Sequence, residues 1–157
     1  MRDVTNEQGR SMVEMLGVLA IIGVIAVGAL AGYAQAILKF RTTRTADEIQ
    51  TIADEIFQTY SWMRTYPDKG KYDTVQSRLI ADGVEIPDVN PFGGVYEVTT
   101  TSSTISVSAS GIPTDACTQL AAESGDWPNV ETLGTCTAGG TNEETGEAVQ
   151  TFAITFL

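Results

Sequence analysis

Hydrophobic positions run unbroken from Met15 to Ala34, 20 residues without a charge, and then thin into a one-sided stripe. As a helix rising ~1.5 Å per residue, the run covers about 30 Å, the thickness of a bilayer's hydrocarbon core, and it predicts a membrane helix. One carboxylate, Glu14, stands at its mouth. Carrying a carboxylate to mid-membrane costs on the order of 2.5 kcal/mol or more, so a charge in that place points to a partner. Past Tyr33, the residues Ile49, Ile52, Ala53, Ile56, Tyr60 and Met63 recur at three- and four-residue steps, the apolar face of an amphipathic helix. Arg44, Asp47, Glu48, Gln50, Asp54, Glu55 and Gln58 fall largely elsewhere. The pattern predicts one helix from about Arg10 to Arg64, ended by Tyr66-Pro67-Asp68, because proline turns the preceding residue away from helical geometry and cannot donate.

Beyond the helix the periodicity shortens. A short helix over Thr74 to Ala81, closed by Gly83, precedes a loop through Pro87, Pro91, Gly93 and Gly94. Val95 to Thr100 and Thr104 to Ala109, joined by Thr101-Ser102-Ser103, have the β-branched content of an antiparallel hairpin. Pro113 and Thr114 open a helix carrying Cys117, Leu120 and Ala121 that ends near Gly125. Residues 126–147, rich in Gly, Thr, Asn and Glu, read as irregular loop with room for one short strand at Val130 to Leu133. The last strand is Val149 to Phe156, with Val149, Phe152, Ile154 and Phe156 expected on the core side. The expected fold is α+β: a long amino-terminal helix packed on a small antiparallel sheet, with a disulfide-bounded carboxy-terminal region.

Charge and composition narrow the function classes. Acidic residues number 20 against 9 basic, and after Arg78 there are eleven Asp or Glu and no Lys or Arg, which argues against nucleic-acid binding by that half. Histidine is absent, which removes imidazole metal ligands and Ser-His or Cys-His nucleophile pairs. Asp126, Glu131, Glu143, Glu144 and Glu147 lack EF-hand spacing and read as a solvated loop. No catalytic residue, metal or cofactor is expected, and the chain reads as a non-enzyme. Gly28 and Gly32 have the spacing of close helix packing, a weak signal in a membrane helix. Cys117 and Cys136, with 18 residues between them, are the only cysteines. A bridge between them would close a loop worth roughly 3 kcal/mol and would imply an oxidising compartment. The alternative is a pair of buried free thiols. Basic residues flank the apolar run equally, so orientation follows the cysteines: amino terminus in the cytoplasm, the head outside the inner membrane.

Residues 1–9 are polar, too short to fold, and read as a processing leader; 10–34 form the apolar stem and 35–157 the head. The competing reading is an ordinary secretory signal cut after Ala29-Leu30-Ala31. Against it, the apolar run is longer than a signal's core and its helical pattern continues through that point.

Leader, Gly9, Glu14 and an apolar helix passing into an amphipathic one together resemble the type IV pilin and pseudopilin family. The resemblance implies cleavage by a prepilin peptidase between Gly9 and Arg10, a new Arg10 amine open to methylation, and Glu14 at the fifth mature position as the assembly residue. Gln58-Thr59-Tyr60 with Tyr66-Pro67, Asn90-Pro91-Phe92, and TISVSASGIPTDACTQL look most like the type IVb pilins, those of toxin-coregulated and thin pili. The implied function is that of a structural pilus subunit: it waits in the inner membrane, is polymerised with its own kind by the pilus assembly machinery, and ends on the cell surface in a filament used for adhesion, surface interaction or conjugation. Three features depart from type IVb members: a leader of only nine residues, Arg10 where an apolar residue is usual, and a short head. They leave open a minor pilin, a conjugative pilus subunit or a type II secretion pseudopilin. Outside the family stands a membrane-anchored extracytoplasmic binding module. In a stack of stems, Glu14 of one subunit could pair with the Arg10 ammonium of its neighbour; the local competitor is a pair within one helix, four residues apart.

Overall fold

The computed structural model describes residues 5–63, 65–142 and 146–157, with side chains from residue 12 onward. The chain divides into two compact units, Met1–Leu38 and Lys39–Leu157. Helix α1, Thr5–Tyr60, contributes to both. It begins earlier than the expected Arg10, so part of the supposed unfolded leader is helical. No proline lies in residues 5–9, and a single glycine costs a helix only ~1 kcal/mol. Met1 to Val4 lie outside the described residues.

In the second unit, α1 buries Thr42, Thr45, Ala46, Ile49, Ile52, Ala53, Ile56 and Tyr60, which is the predicted stripe up to Tyr60 plus two threonines and Ala46 before it. Thr45 is accommodated because its hydroxyl donates to the Arg41 carbonyl one turn back, at 2.9 Å. The helix stops at Tyr60, short of the expected Arg64, which lies outside the described residues. Three carbonyls that another turn would have used are taken locally: Gln58 by the Ser61 hydroxyl at 3.0 Å, Thr59 by the Trp62 indole N–H at 3.1 Å, and Tyr60 by the Met63 N–H at 2.9 Å. Met63, expected on the buried stripe, therefore leaves it and is 37% exposed.

Helix α2, Val75–Ala81, starts where the sequence places it, with the Thr74 hydroxyl accepting from the Ser77 N–H at 3.1 Å. Strands β1, Tyr96–Thr100, and β2, Ile105–Pro113, form the expected hairpin, although Val95 stays outside β1 and β2 runs four residues past Ala109. The extension needs a bulge between Ala109 and Ile112, with Gly111 at φ 74°. Helix α3, Thr114–Glu123, follows and ends in a 3-10 turn at Ser124–Asp126.

The largest departure comes next. Val130–Thr141 is a 12-residue strand, β3, antiparallel to the last strand β4, Ala148–Phe156. It carries no hydrophobic alternation because it is a sheet edge with most of its side chains in solvent. Its glycines, which read as loop, are contacts. A side chain on Gly134 would collide with the ring of the fully buried Phe152, and one on Gly139 would reach Thr151 and the β4 backbone at 3.3 Å. Glu143 and Glu144, at the expected loop tip, lie outside the described residues.

Sheet order is β1-β2-β4-β3, all antiparallel, with the carboxy-terminal strand β4 between β2 and β3. One face, Tyr96, Val98, Ile105, Val107, Ala109, Phe152, Ile154 and Phe156, is buried. These residues stand opposite one another in register, as Val98 does to Val107 and Val107 to Ile154. Val149, expected on this face, is half-buried on the other, since it is an odd number of residues from Phe152. The core is closed by the Ile49 to Tyr60 stripe of α1 and by Ala116, Cys117 and Leu120 of α3. The α+β arrangement of a long helix and a four-stranded antiparallel sheet is thus present.

Candidate functional site

Within the first unit, every side chain from Met12 to Gln35 is exposed. The apolar segment has a mean hydropathy of 2.5 and none of it is buried by the rest of the chain. Leu16, Ile21, Ile25 and Leu30 are 62 to 70% exposed, and Leu19, Ile22, Val24 and Val27 are 56 to 76% exposed. Leaving one such side chain in water rather than burying it costs ~1.5 to 3 kcal/mol, and the deficit repeats around the whole helix. By length and apolarity this helix is able to cross a membrane, as an anchor or as a signal. Nothing lies within 4 Å of the Cβ position of Gly17, Gly23, Gly28 or Gly32, so each of these positions is open to a neighbour.

Glu14 is exposed at the start of this segment. Gly9 and Arg10 belong to the same helix, which sets Arg10 one turn before Glu14 along one face; the Arg10 side chain lies outside the described residues. The spacing is that of an intrahelical pair.

Cys117 and Cys136 are joined, with Cα atoms 6.1 Å apart. The bond ties α3 to β3 at the point where Cys136 stands opposite Phe152, and Trp127 meets the Phe152 ring edge-on at 6.1 Å between centroids. The region bounded by the bridge is therefore α3, the 3-10 turn and half of an edge strand, pinned where the buried Ser124 hydroxyl oxygen accepts the Gly134 N–H at 2.9 Å.

Two tyrosine–carboxylate pairs fix the head to its helix. The Tyr60 hydroxyl donates to Asp82 at 2.5 Å, and the Tyr96 hydroxyl donates to Glu48 at 2.7 Å; Glu48 is also paired with Arg44 at 2.8 Å. Burial, reinforced by the Asp82 bond and charge, pushes the Tyr60 phenol up to about 12. Burial and Glu48 raise Tyr96 as well. These partners were not legible beforehand, because 22 and 48 residues separate the members of the two pairs.

The chain also has an open groove of about 660 Å³ between α1 and the loop after α2, bordered by Glu55, Ile80, Glu85, Ile86, Pro87 and Asp88. Among the described residues no group of three or more His, Cys, Asp or Glu is placed to hold a metal ion. No family model, no curated protein and no solved structure matches the chain.

Proposed function

We propose that the chain is a structural subunit of a type IV pilus-like filament, held in the inner membrane by its apolar helix until a prepilin peptidase cuts between Gly9 and Arg10. The observation that carries this reading is the bare helix: a run of 20 uncharged residues, uncovered by its own chain, preceded by one glutamate five residues after a glycine. A simple anchor needs the apolar run but has no use for Glu14. A filament does, because stacked stems bury the new amine and a neighbour's carboxylate offsets its charge. The bridged, folded second unit is what such a stem would display outside the membrane. Within the same family, Arg10 at the first mature position leaves open a minor pilin, a conjugative pilus subunit or a type II secretion pseudopilin.

Intact-mass analysis of the mature chain tests the reading. A mature form beginning at Arg10, with or without a methyl group, is expected, in filaments sheared from the cell surface. A mature chain beginning at Gly32 would make the helix a secretory signal, and an uncut chain confined to the membrane would make the protein an anchored binding module.

A further inference from the structure

The groove beside α1 has an apolar floor and a rim of carboxylates. Ile80 is 50% exposed on its wall, Ile86 is half-buried and Pro87 exposed, and the rim is formed by the carboxylates of Glu55, Glu85 and Asp88. Glu55 accepts the Glu85 N–H at 2.7 Å through one oxygen, and Glu48, which also lines the groove, is held by Tyr96 and Arg44. No lysine or arginine lines the groove.

The same unit carries a surface of opposite character. Phe40 is 64% exposed, turned away from the buried stripe of α1, and lies between Lys39 and Arg41, with Arg44 one turn further on. An aromatic ring left in water on an otherwise amphipathic helix, flanked by cations on both sides, is a plug without a socket. It cannot enter the groove of its own chain, because Phe40 and Glu55 are fixed on one helix 15 residues apart. That separation is about 22 Å at ~1.5 Å per residue.

We propose that the groove takes the Lys39-Phe40-Arg41 segment of a second copy of this chain, the ring resting on Ile80 and Ile86 and the cations facing Glu85 and Asp88. This contact rests on the filament reading. Plug and socket lie on different patches of one molecule, so the contact is heterologous and leaves each added copy with a free socket or plug, which generates an open array rather than a closed dimer. It also sets a direction: parallel copies are offset along α1 by roughly 20 Å, the spacing between the two patches.

A photo-reactive phenylalanine analogue placed at position 40 of the full-length chain, in cells that produce it, tests the contact. Irradiation should join two copies, with the adduct mapped by mass spectrometry to the 80–88 peptide. Lys39→Glu with Arg41→Glu should lower the adduct at least tenfold, and adding Glu85→Lys with Asp88→Lys should restore it; an intact Cys117–Cys136 bridge in each variant shows that the head has folded. Filaments present with the adduct elsewhere, or absent, would overturn the contact and leave the filament reading standing. An adduct at 80–88 without filaments would uphold the contact and overturn the filament reading. Neither adduct nor filaments would overturn both, and an adduct to a different protein would overturn the assignment of the occupant.

Discussion

Asn90 is 4% exposed and closes one loop with a single side chain. Its Nδ2 donates to the Ser110 carbonyl at 2.7 Å, while its Oδ1 accepts from the Phe92 N–H at 2.9 Å and the Gly94 N–H at 3.1 Å. Asn90→Ala leaves these groups without partners in a part-buried site and should cost about 2 to 3 kcal/mol. Asn90→Asp keeps the two acceptor bonds but turns an oxygen toward the Ser110 carbonyl, and should also destabilise. Urea unfolding of the detergent-solubilised chain measures both, and a loss below about 0.5 kcal/mol for alanine would show that the loop holds itself. Tyr60 supplies a pH test. Its folded pKa of about 12 lies above the ordinary 10.0, so the folded state holds the proton more tightly. The associated stability is complete below pH 10 and is lost as pH rises from about 10 to 12. Tyr60→Phe should flatten the fall over that window without abolishing it, because Tyr96 and Tyr66 are raised too. The sequence names Asn90 and Tyr60 as loop and stripe residues; what it hides is the distant partner of each, Ser110 on β2 for the first and Asp82 at the end of α2 for the second, which only the tertiary fold brings near.

At the scale of elements, what is legible depends on whether a segment meets the core along one face. The stripe of α1, the β1–β2 hairpin and α2 with its Thr74 cap all have a repeating apolar or capping signal, and each stands within a few residues of its expected place. Strand β3 has none, since an edge strand is held by main-chain bonds to β4 and by the bridge. Its Gly134 and Gly139 are needed for close approach, a use that composition does not distinguish from a loop. The bridge itself therefore has a testable weight. Replacing both Cys117 and Cys136 by alanine should cost roughly 2 to 5 kcal/mol. The loss should concentrate in α3 and the first half of β3, where hydrogen exchange would accelerate most, while the β2–β4 pairing keeps its protection. Alkylation of the native chain without reduction should label neither sulfur.

For the molecule as a whole, the division of labour is visible in charge. All nine basic residues lie at or before Arg78, and the membrane-length run from Met15 to Ala34 separates Glu14 from every later acid. In the proposed filament this makes Glu14 necessary for assembly and dispensable for insertion. Insertion depends on the uncharged run, and Glu14→Leu makes its entrance more apolar, so the variant should reach the membrane and be cleaved after Gly9 as the proposal expects of the unaltered chain. Assembly differs, because a stack of stems buries the new Arg10 amine and removal of its counter-charge leaves an unpaired cation at ~3 to 5 kcal/mol per contact. A penalty of that order repeated at every subunit should abolish polymerisation. Glu14→Asp retains the charge on a shorter reach and should assemble slowly. Comparing the membrane-bound and sheared-filament fractions of the three forms separates the two roles of the helix. Normal filaments from Glu14→Leu would assign the carboxylate to its own helix, one turn from Arg10, and leave apolar packing around the four open glycine positions as the force that orders the stems.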